Sequence, residues 1–258
     1  MTDETSQLDD DPLDDNVISA CVLRSVGTER PEFWDYLNFS WENYGPVQVS
    51  VDYASLLHRT ITHDVLEDYG CEVVIMEDAR NPGRDHVFST TEIYEINKYT
   101  RSGHGLIVTG GTLRRSEHGG LAGVLGYKEN ALGHVYYGSY KRDSIQVLLP
   151  DHPLMTNLPS YNTGSEHFYS MFARYSGVND RWEESAEKWN EFSAQDHIDI
   201  VARIWNQRVW TGMLSTVITA HTTDNYKTVF AGHSPTIDAH TLDDYQFYYN
   251  AIVFTASR

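Results

Sequence analysis

The stretch Thr100 to Thr112, TRSGHGLIVTGGT, sets an unbroken apolar run between two glycine-bearing segments. A run this short, β-branched at its centre and bounded by glycine, reads as a strand buried on both faces that empties into a tight turn. Just upstream, Ser89 and Glu92 form an S-x-x-E capping box, and Ile93, Ile96 and Tyr99 or Thr100 supply the inner face of a helix ending at Gly103. Before it, CEVVIMED (Cys71 to Asp78) reads as a second buried strand, preceded by a helix from Thr62 to Tyr69 with Gly70 as its left-handed cap. VQVSVDY (Val47 to Tyr53) alternates as a strand should. Strand, helix, strand, helix, strand at these lengths requires parallel pairing through right-handed crossovers, and hence an α/β sheet covered on both sides.

Further along, a short helix is expected around Gly120 to Leu125, then a strand in SIQVLLP, and strands over Ser165 to Tyr175 and Ile198 to Ile204. Trp182, Ala186 and Trp189 fall at helical spacing. LSTVITAHT (Leu214 to Thr222) and YKTVFAGHS (Tyr226 to Ser234) are separated by Thr223, Asp224 and Asn225, the pattern of a hairpin. In the final segment Thr241 is placed to cap a helix whose Leu242, Tyr245, Tyr249 and Ile252 share a face.

The 258 residues suffice for one large domain, and their formal charge of −18 argues against nucleic acid and anionic membrane as partners. Much of the acid lies in residues 1 to 16, which read as a solvated, disordered tail. Residues 17 to 46, rich in aromatics without a clean period, read as an irregular arm, and 47 to 258 as the α/β domain. The acid excess suits a high-salt cytoplasm and an ordinary acidic enzyme alike. With an acidic start and no run of about 18 apolar residues, a soluble, cytoplasmic protein is expected. Cys21 and Cys71 make neither a CxxC pair nor zinc spacing, and no disulfide framework is expected; Cys71 reads as a small buried hydrophobe.

The order of these segments resembles the class I glutamine amidotransferase-like superfamily, in particular its branches related to ThuA-like proteins and to the trimerisation domain of β-galactosidases. The resemblance rests on Asp64 to Asp78, Glu92 to Thr112, Leu121 to Gly126, the DHPL of Asp151 to Leu154, and VFAGHSP (Val229 to Pro235) followed by Tyr248 to Ile252. It implies a flavodoxin-like three-layer sandwich with a mainly parallel sheet, and any site above the carboxyl ends of the strands. In the family's amidotransferases a cysteine occupies the turn after the central strand; here that turn is Thr109-Gly110-Gly111-Thr112. A threonine hydroxyl is far harder to ionise than a thiol, so glutaminase activity is not expected. His233 takes the place of the family's catalytic histidine, but Thr236 stands where its acid would follow, and Asp238 is the next carboxylate downstream.

The candidate catalytic residues are therefore Thr109, Thr112 and His233. Candidate ligand-binding residues are Asp78, Arg84, Gly110, Gly111, Thr112 and His118, all at or near the predicted carboxyl edge. The glycine pair can present backbone N–H groups to an anion or make only a tight turn; Arg84 can hold an anion or only decorate the Pro82–Gly83 loop. His118, His233 and Asp78 are the conceivable metal ligands, yet no H-x-H or H-x-x-x-H spacing supports a metal, and neither metal nor cofactor is expected. The resulting expectation is a diverged domain binding a small polar ligand or a protein partner. The alternatives are a hydrolase or isomerase acting on a sugar-like substrate, with Asp78, Thr112, His118 and His233 in one pocket, and an assembly module forming a homo-oligomer.

Overall fold

In Val17–Leu23 (β1), Ala20 and Val22 face one apolar layer while Cys21 and Leu23 face the other, so the strand must be covered twice. The computed structural model describes residues 17–24, 32–77, 88–109, 112–113, 116–127, 135–136, 145–159, 161–163, 166–169, 177–179, 198–204, 215–233, 235 and 242–256. After β1 come helix α1 (Glu32–Ser40), β2 (Gln48–Asp52), α2 (His63–Asp68), β3 (Val73–Met76), α3 (Thr90–Arg101) and β4 (Gly105–Thr109). Short strands follow: β5 (Val135–Tyr136), β6 (Ile145–Val147), β7 (Tyr161–Thr163), β8 (Glu166–Tyr169) and β9 (Gly177–Asn179). The chain closes with β10 (Ile198–Ile204), β11 (Ser215–Thr222), β12 (Lys227–Ala231) and helix α4 (Leu242–Ala256).

Among the described residues one sheet runs in the order β2-β1-β3-β4-β12-β11-β10-β6-β8-β7, with β9 on β11 and β5 on β9. The first five strands of that order are mutually parallel, as the crossovers require. From β12 outward the pairing is antiparallel, beginning with the expected β11–β12 hairpin. The fold is thus α/β and flavodoxin-like, with its parallel core extended by antiparallel strands.

Alternation along the parallel strands divides the interior. Val22, Ile75, Ile107 and Val229 face α1 and α4, whereas Leu23, Met76, Val108 and Phe230 face α2 and α3. On the first side Phe33 of α1 stacks on Tyr245 of α4 with centroids 4.4 Å apart, and Trp34 meets Tyr248 edge-on at 5.6 Å. Such pairs contribute about 0.5–1.5 kcal/mol each beyond the area they bury. α4 is apolar nearly all round and accordingly buried along most of its length. Gly105 is required where α4 crosses β4, because a Cβ there would lie 2.8 Å from the Thr255 carbonyl oxygen. On the other side the capping box of α3 forms as expected, and Glu92 also accepts from the Ile61 N–H at 3.0 Å, tying the preceding loop to the helix.

Several expectations change. Residues 17–46 are not an irregular arm in their described part, because β1 inserts between β2 and β3 and α1 packs on the sheet. The insertion also brings Cys21 beside the start of β3, where it forms a disulfide with Cys71, the two Cα atoms 5.5 Å apart. The short helix after β4 is a 3-10 segment over Ser116–Leu121, placed earlier than its glycines suggest. Leu242, at the outer end of α4, is 74% exposed and leaves the inner face to Tyr245, Tyr249 and Ile252, joined by Tyr248. The acidic tail, the segment with Trp182 and Trp189, and Thr241 lie outside the described residues.

Candidate functional site

Parallel register carries one apolar row across the sheet. Val22, Ile75, Ile107 and Val229 are consecutive partners on β1, β3, β4 and β12, all facing α1 and α4. Two residues on, with period 2, the row on the same face becomes Arg24, Glu77, Thr109 and Ala231. The ladder persists that far, since the Glu77 N–H donates to the Leu23 carbonyl at 2.8 Å and Thr109 pairs with Ala231. His233 stands one pleat further along the line of β12. At about 4.8 Å per strand, the step from β1 to β4 spans roughly 10 Å. The carboxyl edge therefore presents, in succession, a guanidinium, a carboxylate and a hydroxyl, with an imidazole above them.

Each of these groups is positioned by the α1/α4 layer. Glu77 is fully buried and accepts from the Trp34 indole N–H at 3.3 Å. Arg24 lies over the Tyr53 ring, 5.3 Å from its centroid, and its buried Nε and Nη1 have no hydrogen-bond partner among the described residues. The Tyr53 hydroxyl donates to Asp35 at 2.9 Å; that bond, with burial, raises the phenol above its ordinary range while Arg24 pulls the other way. Thr109 is fully buried, and its Oγ1 likewise finds no partner among the described residues. His233 Nε2 lies 3.6 Å from Asp244 Oδ2, both side chains fully buried. Asp244 sits in the first turn of α4, where the helix dipole favours a carboxylate. One turn on, the Tyr248 hydroxyl donates to the His233 carbonyl at 2.5 Å, fixing the backbone that carries the imidazole.

Of the candidates, Thr109 and His233 come together on one edge and one face. Thr112 and His118 make contacts within the turn that follows β4. The Thr112 hydroxyl donates to the Met76 carbonyl at 3.3 Å, and its own carbonyl lies 2.6 Å from His118 Nδ1. The His118 ring is 6.0 Å from Phe88, a member of the α2/α3 layer. These contacts clamp the turn after β4 against the end of β3. Asp78, Arg84, Gly110 and Gly111 lie outside the described residues. Both cysteines of the chain are consumed by the disulfide, so no thiol serves this edge. Among the described residues no cluster of three metal-ligating side chains occurs, and no helix is long and apolar enough to cross a membrane.

Arg24, Glu77 and Asp244 escaped the sequence reading. The alternation Val73, Ile75, Glu77 carried a usable signal, since it assigns Glu77, rather than Asp78, to the face of Ile75. Asp244 has no such local signal; helix packing brings it to His233. A cleft of about 280 Å³ at the opposite edge is lined by Ser102, Thr223, Asn225 and Lys227, but the Ser102 and Thr223 hydroxyls are already bonded within their own turns.

No family model and no curated protein sequence matches this chain. Among solved structures, a protein described as ThuA-like from Bacteroides uniformis aligns over 91% of this chain and 89% of its own, with a TM-score of 0.56 and 12% identity. A second protein described as ThuA-like, from Parabacteroides merdae, aligns over 93% and 90% with a TM-score of 0.52 and 11% identity. A cytoplasmic protein from Salmonella typhimurium aligns over 94% and 100% with a TM-score of 0.50 and 15% identity. At such identities the likeness lies in the architecture, and the chain has the α/β, flavodoxin-like fold of its neighbours described as ThuA-like.

Proposed function

We propose that the carboxyl edge of the parallel strands binds a small, hydroxyl-rich, sugar-like ligand and that the protein is not a glutaminase. The observation that carries this reading is the row Arg24–Glu77–Thr109, where a half-buried donor, a buried acceptor and a buried hydroxyl able to do both follow one another over the scale of a single sugar ring. A carboxylate takes hydroxyl donors, a guanidinium gives N–H donors, and a threonine hydroxyl does either. Buried polar atoms cost about 1–3 kcal/mol when left unsatisfied, so the Thr109 Oγ1, without a partner among the described residues, favours a site completed by its ligand. The fold shared with ThuA-like proteins is in keeping with a sugar-like substrate.

A second reading, acid–base chemistry on the same ligand, is favoured by the His233–Asp244 pair. A buried carboxylate beside an imidazole orients the ring and supports the imidazolium that forms when it takes a proton. Titration calorimetry with a panel of mono- and disaccharides at millimolar concentration tests the main reading. Saturable binding to the wild type that is lost in Glu77→Gln is expected. Glutamine hydrolysis abolished by His233→Ala, or no binding by any sugar, overturns it.

A further inference from the structure

We infer that the outer face of the α1–α4 pair is a docking surface for a basic amphipathic helix of another protein. Phe39, in the last turn of α1, is 86% exposed, Leu242 at the start of α4 is 74% exposed, and Tyr36 between them is 44% exposed. Scattered exposed apolar residues are ordinary on a protein surface, but these form a line. Leu242 and Tyr245 are i,i+3 neighbours on α4, the Tyr245 ring meets that of Tyr36 at 4.5 Å, and Tyr36 and Phe39 are i,i+3 neighbours on α1. Tyr44 flanks the middle of the line, its ring 6.1 Å from that of Tyr245. With about 5–6 Å for each helical step the stripe is roughly 15 Å long, or about three turns of a helix laid along it. None of these residues belongs to the row Arg24–Glu77–Thr109.

The charge beside the stripe selects the partner. Glu32, Asp35 and Glu42 lie on or just after α1, and Asp243 and Asp244 are in the first turn of α4. No Lys or Arg occurs within residues 31–58 or 235–257. Glu32, Glu42 and Asp243 form no ion pair among the described residues, and Asp35 is engaged by the Tyr53 hydroxyl, with Arg24 over the same ring. Burial, followed by Tyr36, Asp244 and Glu32, raises the Tyr245 phenol above its ordinary value, and burial with Asp244 raises the Asp243 carboxyl. Cations on a partner relieve this negative charge, and their apolar stems and charged heads pack on tyrosine rings as well. The complement is therefore a helix with Leu or Phe anchors at i, i+4 and i+7 and with Lys or Arg beside them. A second copy of this chain would set the same acids against one another, and nucleic acid or anionic lipid would meet like charge.

The test is titration calorimetry of the full chain with three synthetic peptides of about 18 residues: Leu and Lys at amphipathic helical spacing, the same residues scrambled, and the amphipathic pattern with Glu in place of Lys. The expected result is saturable binding of the amphipathic Lys peptide, at least about tenfold tighter than the scrambled one and weakening as salt rises from about 0.1 to about 0.5 M. Phe39→Ser and Leu242→Ser should each weaken it by at least about tenfold, the loss of one buried anchor. Tyr94→Ser, which removes an aromatic residue 65% exposed on α3, should leave it unchanged. All three substitutions are at exposed positions, where folding tolerates them. Equal binding by wild type and both stripe variants overturns the proposal, because the attraction then belongs to the overall charge. Binding of the Glu peptide as tightly as the Lys peptide, or of neither, overturns it too. A dimer seen by sedimentation and dispersed by Phe39→Ser assigns the face to a second copy and overturns it as well.

Discussion

Breaking the Cys21–Cys71 disulfide should cost this protein a large part of its stability, and the cost should act through the unfolded chain. The bond joins β1 to the residues just ahead of β3 across a sequence separation of 50. On the chain-entropy model, closing a loop of that length removes about 4 kcal/mol worth of freedom from the unfolded ensemble. Against the 5–15 kcal/mol or so by which domains are usually stable, this is a major share. In the folded state little is lost, because both sulfurs lie in the α2/α3 apolar layer, at 2% and 0% exposure, and two thiols pack there nearly as well. Burial also keeps reductant away from the folded protein, so the comparison belongs at equilibrium: urea unfolding of oxidised protein against protein unfolded and refolded in excess dithiothreitol. With an m-value of about 3 kcal/mol/M the midpoint should fall by roughly 1.3 M urea. Coincident unfolding curves would refute the reasoning, as would two titratable thiols in protein denatured without reductant.

Replacing Thr109 with valine, nearly its isostere, removes the buried hydroxyl that lacks a partner among the described residues; stability should rise by about 1 kcal/mol while sugar binding weakens, and a loss of stability in urea unfolding would show the hydroxyl to be satisfied within the fold. His152 gives a pH dependence. Burial pushes its imidazole below the ordinary value of 6.5, an effect the nearby Asp199 carboxylate partly opposes, and its Nδ1 accepts from the Leu154 N–H at 3.2 Å, a role only the deprotonated nitrogen can fill. As pH falls through that ordinary value the unfolded chain takes up the proton first. This stability is therefore complete above about pH 7 and is lost on acidification until the folded-state value is passed. Urea midpoints between pH 5 and 8 should slope accordingly in the wild type and flatten in His152→Gln; an unchanged slope in the variant would assign it to other groups.

What the sequence makes legible here follows the range of the interactions involved. The elements from β2 to β4, the capping box of α3 and the β11–β12 hairpin are written in residues a few positions apart, and local pattern finds them. β1 was obscured because its place is decided by a non-local event, insertion between two strands that come later in the chain. The disulfide was hidden for the same reason, since nothing in the spacing of Cys21 and Cys71 shows that β1 and β3 are neighbours. At the candidate site, the strand-end positions of Thr109 and His233 were legible in the sequence. Asp244 is not legible beside His233 in the sequence, because a helix packed across the sheet brings it there.

β12 runs parallel to β4 and antiparallel to β11, so it is the seam where the sheet changes sense. During synthesis, Arg24, Glu77 and Thr109 leave the ribosome long before the strand and helix that carry His233 and Asp244. Until β12 docks, β4 is an open edge of apolar residues, a surface on which other chains can pair. A nascent or C-terminally shortened chain thus lacks the His233–Asp244 pair and is adhesive. Closure of this one seam assembles the candidate site and removes the hazard in a single step.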